Sequence, residues 1–204
     1  MNRTIVSIDT GLAGGISIFQ NYKDTFTTQD YKLVFCENTP VRKTEIKKAK
    51  TKFDLLNGKK QFIKSGPNKG QVKTIQVEAA KCTTDLDLHS VINMMTFIVP
   101  SKVTVVIEQP GSTVGNSSTA TATTFKNFGK LLACAELAHC EIYVVPAAQW
   151  KKDLGLTKDK LQCVEFAEKL FNKSFRTDRN KLLDGQAESA LIGYWYINHK
   201  LKQE

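Results

Sequence analysis

The chain has 204 residues, 41% of them hydrophobic and 24% charged, and a formal net charge of +9. That length is enough for one domain with a real core, and no apolar run approaches the ~20 residues of a membrane span. The five cysteines are scattered without zinc-knuckle or redox spacing, which points to reduced core thiols in a cytoplasmic protein.

The stretch Thr4-Ile5-Val6-Ser7-Ile8-Asp9-Thr10-Gly11 reads as a strand buried on both faces that ends on an acid. It is entered almost at once, with no basic-then-apolar leader, so no signal peptide is expected. Gly11, Gly14 and Gly15 make a tight turn. Residues 16–19 run back as a second strand, and residues 31–35 form a third, giving an antiparallel meander.

Next comes a basic segment. Residues 42–73 hold eleven of the 29 basic residues and two of the 20 acids, leaving eighteen of each elsewhere. A neutral body with one basic segment points to a polyanion partner or to a solvated insertion. In residues 43–57, Ile46, Ala49, Phe53 and Leu56 stand at helical spacing, with Asn57-Gly58 as C-cap or, alternatively, as a hairpin turn. Residues 61–64 and 71–75 flank a Gly/Pro/Asn-rich tip and read as a hairpin. Residues 41–80 are treated as an inserted arm of a single domain over 1–204. Lys59, Lys60, Lys64, Lys69 and Lys73 are its candidate DNA contacts.

A helix is expected from Thr84, with Asp87 in a capping-box-like start and a stripe of Leu88, Val91, Ile92 and Met95, ending at Pro100. Residues 103–108 form a buried strand that again finishes on an acid, Glu108. A Ser/Thr-rich run over 112–124 leads to a helix near 125–139, whose packing side is Leu131, Leu132, Ala135 and Ala138. A fifth strand spans 141–146. A short helix near 147–152, a longer one after Thr157 and a last one over 184–199 complete the chain. The order predicts an α/β fold, with three antiparallel strands and two more added through helical crossovers.

Two buried strands end on acids, Asp9 and Glu108. Asp184 and Glu188 are four apart and so share one helix face, which also carries Leu191, Ile192 and Trp195. Two like charges on a buried face repel each other. Four carboxylates converging at strand ends and a packed helix make a hard oxygen-ligand site, suited to Mg²⁺ with Mn²⁺ as substitute. Such a site can activate water for phosphodiester hydrolysis by two ions.

Ile8-Asp9-Thr10-Gly11, Val106-Ile107-Glu108-Gln109-Pro110 and Asp184-Gly185-Gln186-Ala187-Glu188-Ser189-Ala190-Leu191 together resemble the RuvC-type Holliday junction resolvases of the RNase H-like superfamily, particularly their phage-encoded relatives. The resemblance covers the chain except the basic segment. It implies an RNase H-like mixed five-stranded sheet flanked by helices, a homodimer, and metal-dependent nicking of four-way DNA junctions. It implies Asp9, Glu108, Asp184 and Glu188 as metal ligands. It also implies Lys151 and Lys160 beside the scissile phosphate. The family has a junction-opening aromatic just after the strand-end Glu. Here that region is Ser/Thr-rich, and Phe125 and Phe128 come later; with Lys126 between them they are further candidate DNA contacts. The bacterial enzymes usually space the last two acids three apart and use Asp twice, whereas here the gap is four and the second acid is Glu.

Rival readings are an RNase H-like endonuclease acting on flaps or other branched DNA, an actin-like nucleotide-binding protein, and a non-catalytic DNA-binding module. The helix near 125–139 is the candidate dimer face, with simple packing on the sheet as the alternative.

Overall fold

A computed structural model describes residues 3–11, 13–21, 28–47, 50–53, 55–56, 59–64, 66–78, 81–96, 102–111 and 118–201. The chain divides into two compact units, Met1–Val41 with Leu86–Glu204, and Arg42–Asp85.

The first unit is built on a five-stranded sheet. Its strands are β1 (Arg3–Ile8), β2 (Gly15–Asn21), β3 (Tyr31–Asn38), β10 (Lys102–Gln109) and β11 (Glu141–Pro146). Their spatial order is β11-β10-β1-β2-β3. β1, β2 and β3 pair antiparallel, while β10 and β11 add to β1 in parallel. This is the expected RNase H-like mixed sheet. The helices of this unit are α1 (Leu88–Thr96), α2 (Ser118–Leu137), α3 (Ala147–Asp153), α4 (Lys160–Phe171) and α5 (Asp184–His199).

Side chains alternate across a strand, and this divides the core in two. Val6, Ile8, Val105 and Ile107 join α1 and α2 residues such as Val91, Met95, Leu131 and Ala135. Ile5 and Val106 join Trp150, Val164, Leu191 and Trp195 from α3, α4 and α5. The same alternation sends Asp9 and Glu108 to the α3–α5 side. β1 is buried along nearly all its length, as a strand covered by helices on both faces must be.

Leu131 and Ala135, on the expected packing side of the helix read as a candidate dimer face, are fully buried against this chain's own sheet, with Leu132 and Ala138 packed beside them. α2 begins at Ser118, well before the expected start. Its early threonines satisfy themselves within the helix, since the Thr123 and Thr124 hydroxyls donate to the carbonyls of Thr119 and Ala120. No helix among the described residues is long and apolar enough to cross a membrane.

The second unit corrects two expectations. Residues 43–57 do not form a helix: β4 (Val41–Lys47), β5 (Lys50–Phe53), β6 (Leu55–Leu56) and β7 (Lys59–Lys60) run through this region. β8 (Thr74–Glu78) pairs antiparallel with β5, and β9 (Lys81–Leu86) is the partner of β4. These long-range pairings override a weak helical periodicity. Leu56 stands opposite Lys59, which favours the hairpin alternative, although Asn57-Gly58 itself lies outside the described residues. Thr84 lies in β9 rather than starting a helix. Asp87 instead opens α1, its carboxylate accepting from the Ser90 hydroxyl and its carbonyl from the Val91 N–H. The expected stop at Pro100 lies outside the described residues. The hairpin at 61–73 forms as expected, with Phe62 opposite Val72 and paired backbone bonds between Ile63 and Gln71 and between Lys73 and Gln61.

Candidate active site

Ile8 pairs with Ile107 across β1 and β10, so Asp9 and Glu108 follow at equivalent positions on neighbouring strands. Both stand at carboxyl ends of parallel strands, where the strand order reverses about β1. In open α/β sheets that crevice is the usual place for a ligand.

The second pair of acids is brought there by backbone meeting backbone. Gly14 bridges to Gly185. A Cβ at Gly185 would lie 2.2 Å from the Ala13 carbonyl oxygen, and one at Gly15 would lie 2.3 Å from the Gly185 carbonyl oxygen. Only glycines allow the first turn of α5 to lie directly on the β1–β2 turn. That turn is itself held by the Gly14 N–H donating to the Gly11 carbonyl at 2.9 Å and the Asp9 N–H to the Gly15 carbonyl at 3.0 Å.

A buried polar seam then fixes the orientation of α5. The Ser7 hydroxyl donates to the Ser189 carbonyl at 2.7 Å. The Ser17 and Ser189 hydroxyls bond each other at 2.7 Å. The Cys36 thiol, bonded by Ser17, donates to the Gln186 carbonyl. Each hydroxyl is satisfied, as buried polar groups must be. Asp184 and Glu188, on one helix face, are thereby aimed at the strand ends.

Four bonds tie the acids to their surroundings. The Trp150 indole N–H donates to Glu108 Oε2 at 2.9 Å. The Lys151 ammonium pairs with Glu188 Oε1 at 2.8 Å, both side chains only 14% exposed. The Lys160 ammonium pairs with Asp184. The Gly11 N–H lies 3.5 Å from Asp9 Oδ1.

The charge balance is strained. Asp9 is pushed up to about 8, mainly by burial, then by the charges of Glu108 and Glu188 and more weakly Asp184, with the Gly11 N–H opposing. Glu108 is pushed up to about 7, again by burial first, with the Trp150 bond opposing and the Glu188 charge adding. Burial works against the Lys151 charge, yet its bond to Glu188 and that acid's charge hold it above its ordinary range. The bond to Asp184 raises Lys160.

No three acidic, histidine or cysteine side chains among the described residues stand close enough to share one ion as they are placed. The donor chemistry nevertheless suits a hard divalent cation. All the donors are oxygens, four carboxylates face two lysines, and two of the acids are driven toward their protonated form by burial and the charge of neighbouring acids. A cation among them would reverse that drive.

The six residues Asp9, Glu108, Asp184, Glu188, Lys151 and Lys160 thus come together, linked by the bonds and charge interactions above. The other candidates lie elsewhere. Phe125 is 43% exposed on α2 and Lys126 is exposed beside it, whereas Phe128 packs into the core beneath the helix. Lys64, Lys69 and Lys73 are exposed in the second unit, and Lys59 and Lys60 lie on β7. Sequence reasoning gave no role to Trp150, Ser7, Ser17, Ser189 or Gly185. A lone serine in the apolar run of β1 was the one local sign of the seam. Cys36, Cys134 and Cys163 are buried free thiols, and Cys140 is a half-buried one.

No family model and no curated protein matches this sequence. Among solved structures, RuvC of T. thermophilus in complex with a Holliday junction substrate aligns with TM-score 0.49 at 9% identity, over 98% of this chain and 97% of that one. A second RuvC structure of Thermus thermophilus aligns with TM-score 0.43 at 10% identity, over 95% and 94% of the two chains. At this distance the functional reading rests on the chemistry of the site itself.

Proposed function

We propose that this chain is a metal-dependent endonuclease that resolves four-way DNA junctions by paired nicks. The observation that carries the reading is the gathering of Asp9, Glu108, Asp184 and Glu188 at the strand ends, with Lys151 and Lys160 bonded to two of them. Unneutralised acids of this kind repel a phosphate backbone, so a site that binds DNA here needs cations. The motifs that resemble the junction resolvases fall on these same acids.

Asp9, Glu108, Asp184 and Glu188 would hold Mg²⁺, or Mn²⁺ in its place. Bound there, the metal supplies an activated water and neutralises charge at the phosphodiester. The chain's own groups do the rest. Trp150 fixes the Glu108 carboxylate. Lys151 and Lys160 orient Glu188 and Asp184, and their positive charge favours a phosphate beside the acids. The glycine contact and the serine seam hold α5 so that all four acids stay in place. A four-way junction is two-fold symmetric, so paired nicks call for two copies of this chain about a two-fold axis. The exposed lysines of the second unit would add sequence-independent contacts to phosphate.

The test is cleavage of matched synthetic substrates: a mobile four-way junction, a flap, a plain duplex and an RNA–DNA hybrid, each with Mg²⁺, Mn²⁺ or chelator. Symmetric nicks confined to the junction, lost with chelator, are the expected result. Cutting of flaps instead would move the chain to another branched-DNA nuclease. Cutting in chelator would end the metal reading.

A further inference from the structure

The carboxyl ends of β10 and β11, α3 and the segment after it enclose a cavity of about 880 Å³. It shares Glu108 and Lys151 with the acid site. The rest of its wall has no part in the roles described above. Pro110 and Leu156 are its buried apolar surfaces, with Pro146 beside them. Lys152 and Lys158 are exposed and also line it.

This lining selects its occupant. Three lysines and one carboxylate line it; Lys151 is already paired with Glu188, which leaves the charges of Lys152 and Lys158 against that of Glu108. The occupant is therefore anionic. The proline and leucine surfaces favour the flat face of a ring over a hydrated ion. The volume lies within the range of small-molecule sites and is ample for one nucleotide.

We infer that this cavity takes one unpaired nucleotide of the strand running past the acids, its base against Pro110 and Leu156 and its phosphate between Lys152 and Lys158. The inference rests on the nuclease reading for the presence of that strand. It adds that the strand is held with one base out of its stack. Unstacking is least costly where pairing is already broken, so the cavity would favour branch points over continuous duplex.

Two measurements test this, using the full chain, Ala148→Trp and Lys152→Glu/Lys158→Glu. Ala148 is an exposed residue of α3 that lines the cavity, so tryptophan there fills it without entering the core. The double charge reversal changes exposed side chains only, and so reads the cavity even if the tryptophan disturbs α3. In the first measurement, the methyl resonance of Ala147, another lining residue, is followed during titration with deoxyadenosine monophosphate and, separately, with inorganic phosphate. A saturable shift with the nucleotide is expected, about tenfold weaker in both variants, and none with phosphate at equal concentration. No shift, a shift unaffected by both variants, or an equal shift with phosphate would overturn the cavity's assignment. In the second, junctions carrying 2-aminopurine at positions flanking the cut are bound in Ca²⁺. Emission should rise at one position with the natural chain and not with the variants. Tight binding with no rise anywhere would overturn the unstacked strand. Absence of any junction binding would instead sink the nuclease reading, while the nucleotide titration still decides the cavity.

Discussion

Helix α5 and the tip of the second unit use glycine in opposite ways. At Gly14, Gly15 and Gly185 main chain lies on main chain, and a Cβ would sit within 2.2–2.3 Å of a carbonyl oxygen. At Gly66 and Gly70 the backbone has φ of +84° and +88°, and a Cβ would meet nothing within 4 Å. In the first region glycine is needed for space, in the second for a turn conformation alone. The surroundings differ in the same sense. α5 is buried along almost its whole length, while the tip presents lysines to solvent. One region holds charges at fixed separations, as the proposed chemistry on a phosphate would require. The other presents charge where only its sign matters.

The sharpest test of that contrast is removal of single charges. Asp9→Asn, Glu108→Gln or Asp184→Asn should lower cleavage by about a thousandfold or more, the scale of losing preorganised electrostatic stabilisation, while junction binding in gel shifts persists. Comparable cleavage by any of the three would break the site assignment.

Next in size is a methyl group at each kind of glycine. Gly185→Ala should cost about 1–3 kcal/mol from overpacking, read as a drop in Tm of about 2–4 °C per kcal/mol. Gly66→Ala should cost at most about 1–2 kcal/mol of left-handed backbone strain, with cleavage unchanged. Equal losses of cleavage from the two would mean that the packing of α5 on the β1–β2 turn has no special part in placing the acids.

The raised Asp9 and Glu108 pKa values make a third prediction. In the unfolded chain Asp9 ionises near its ordinary 3.8, in the folded one at about 8. Between those values the unfolded state holds fewer protons, so metal-free stability falls as pH rises from about 4 to about 8 and then levels. Glu108 acts in the same direction up to about 7. Asp9→Asn should therefore raise the metal-free Tm at pH 8 by about 2–4 °C or more, with less effect at pH 5, and Mg²⁺ should flatten the natural chain's pH slope. A variant less stable than the natural chain at pH 8 would contradict the burial of that charge.

The smallest effect belongs to the tip. Converting Lys64, Lys69 and Lys73 to Gln should lower the salt slope of DNA binding by about one for each phosphate that a lysine no longer neutralises, without changing the cleavage rate at saturating protein. An unchanged slope would mean the tip does not touch DNA.

The sequence made the sheet legible because its strands carry local signals: runs of β-branched residues and acids at two strand ends. The four acids were found by the same signals and by the four-residue spacing on α5. The second unit misled because Ile46, Ala49, Phe53 and Leu56 stand at helical spacing in a segment whose pairing is decided outside it, β4 by β9 and Phe53 by Thr74. The start of α2 was missed because Ser and Thr are weak helix formers, and only the finished helix supplies the carbonyls that satisfy them. The seam had no local signature beyond the lone Ser7, since Ser17 and Ser189 are 172 residues apart.

Trp150 and Lys151 are consecutive, yet they bond different acids from different elements, Glu108 on β10 and Glu188 on α5. Two neighbours on α3 thus serve as a splice between strand and helix. An insertion of one residue ahead of them in α3 would turn both side chains by about 100° and release both acids together. The distance in sequence from Pro146 to Lys151 is thus set like the pitch of a screw.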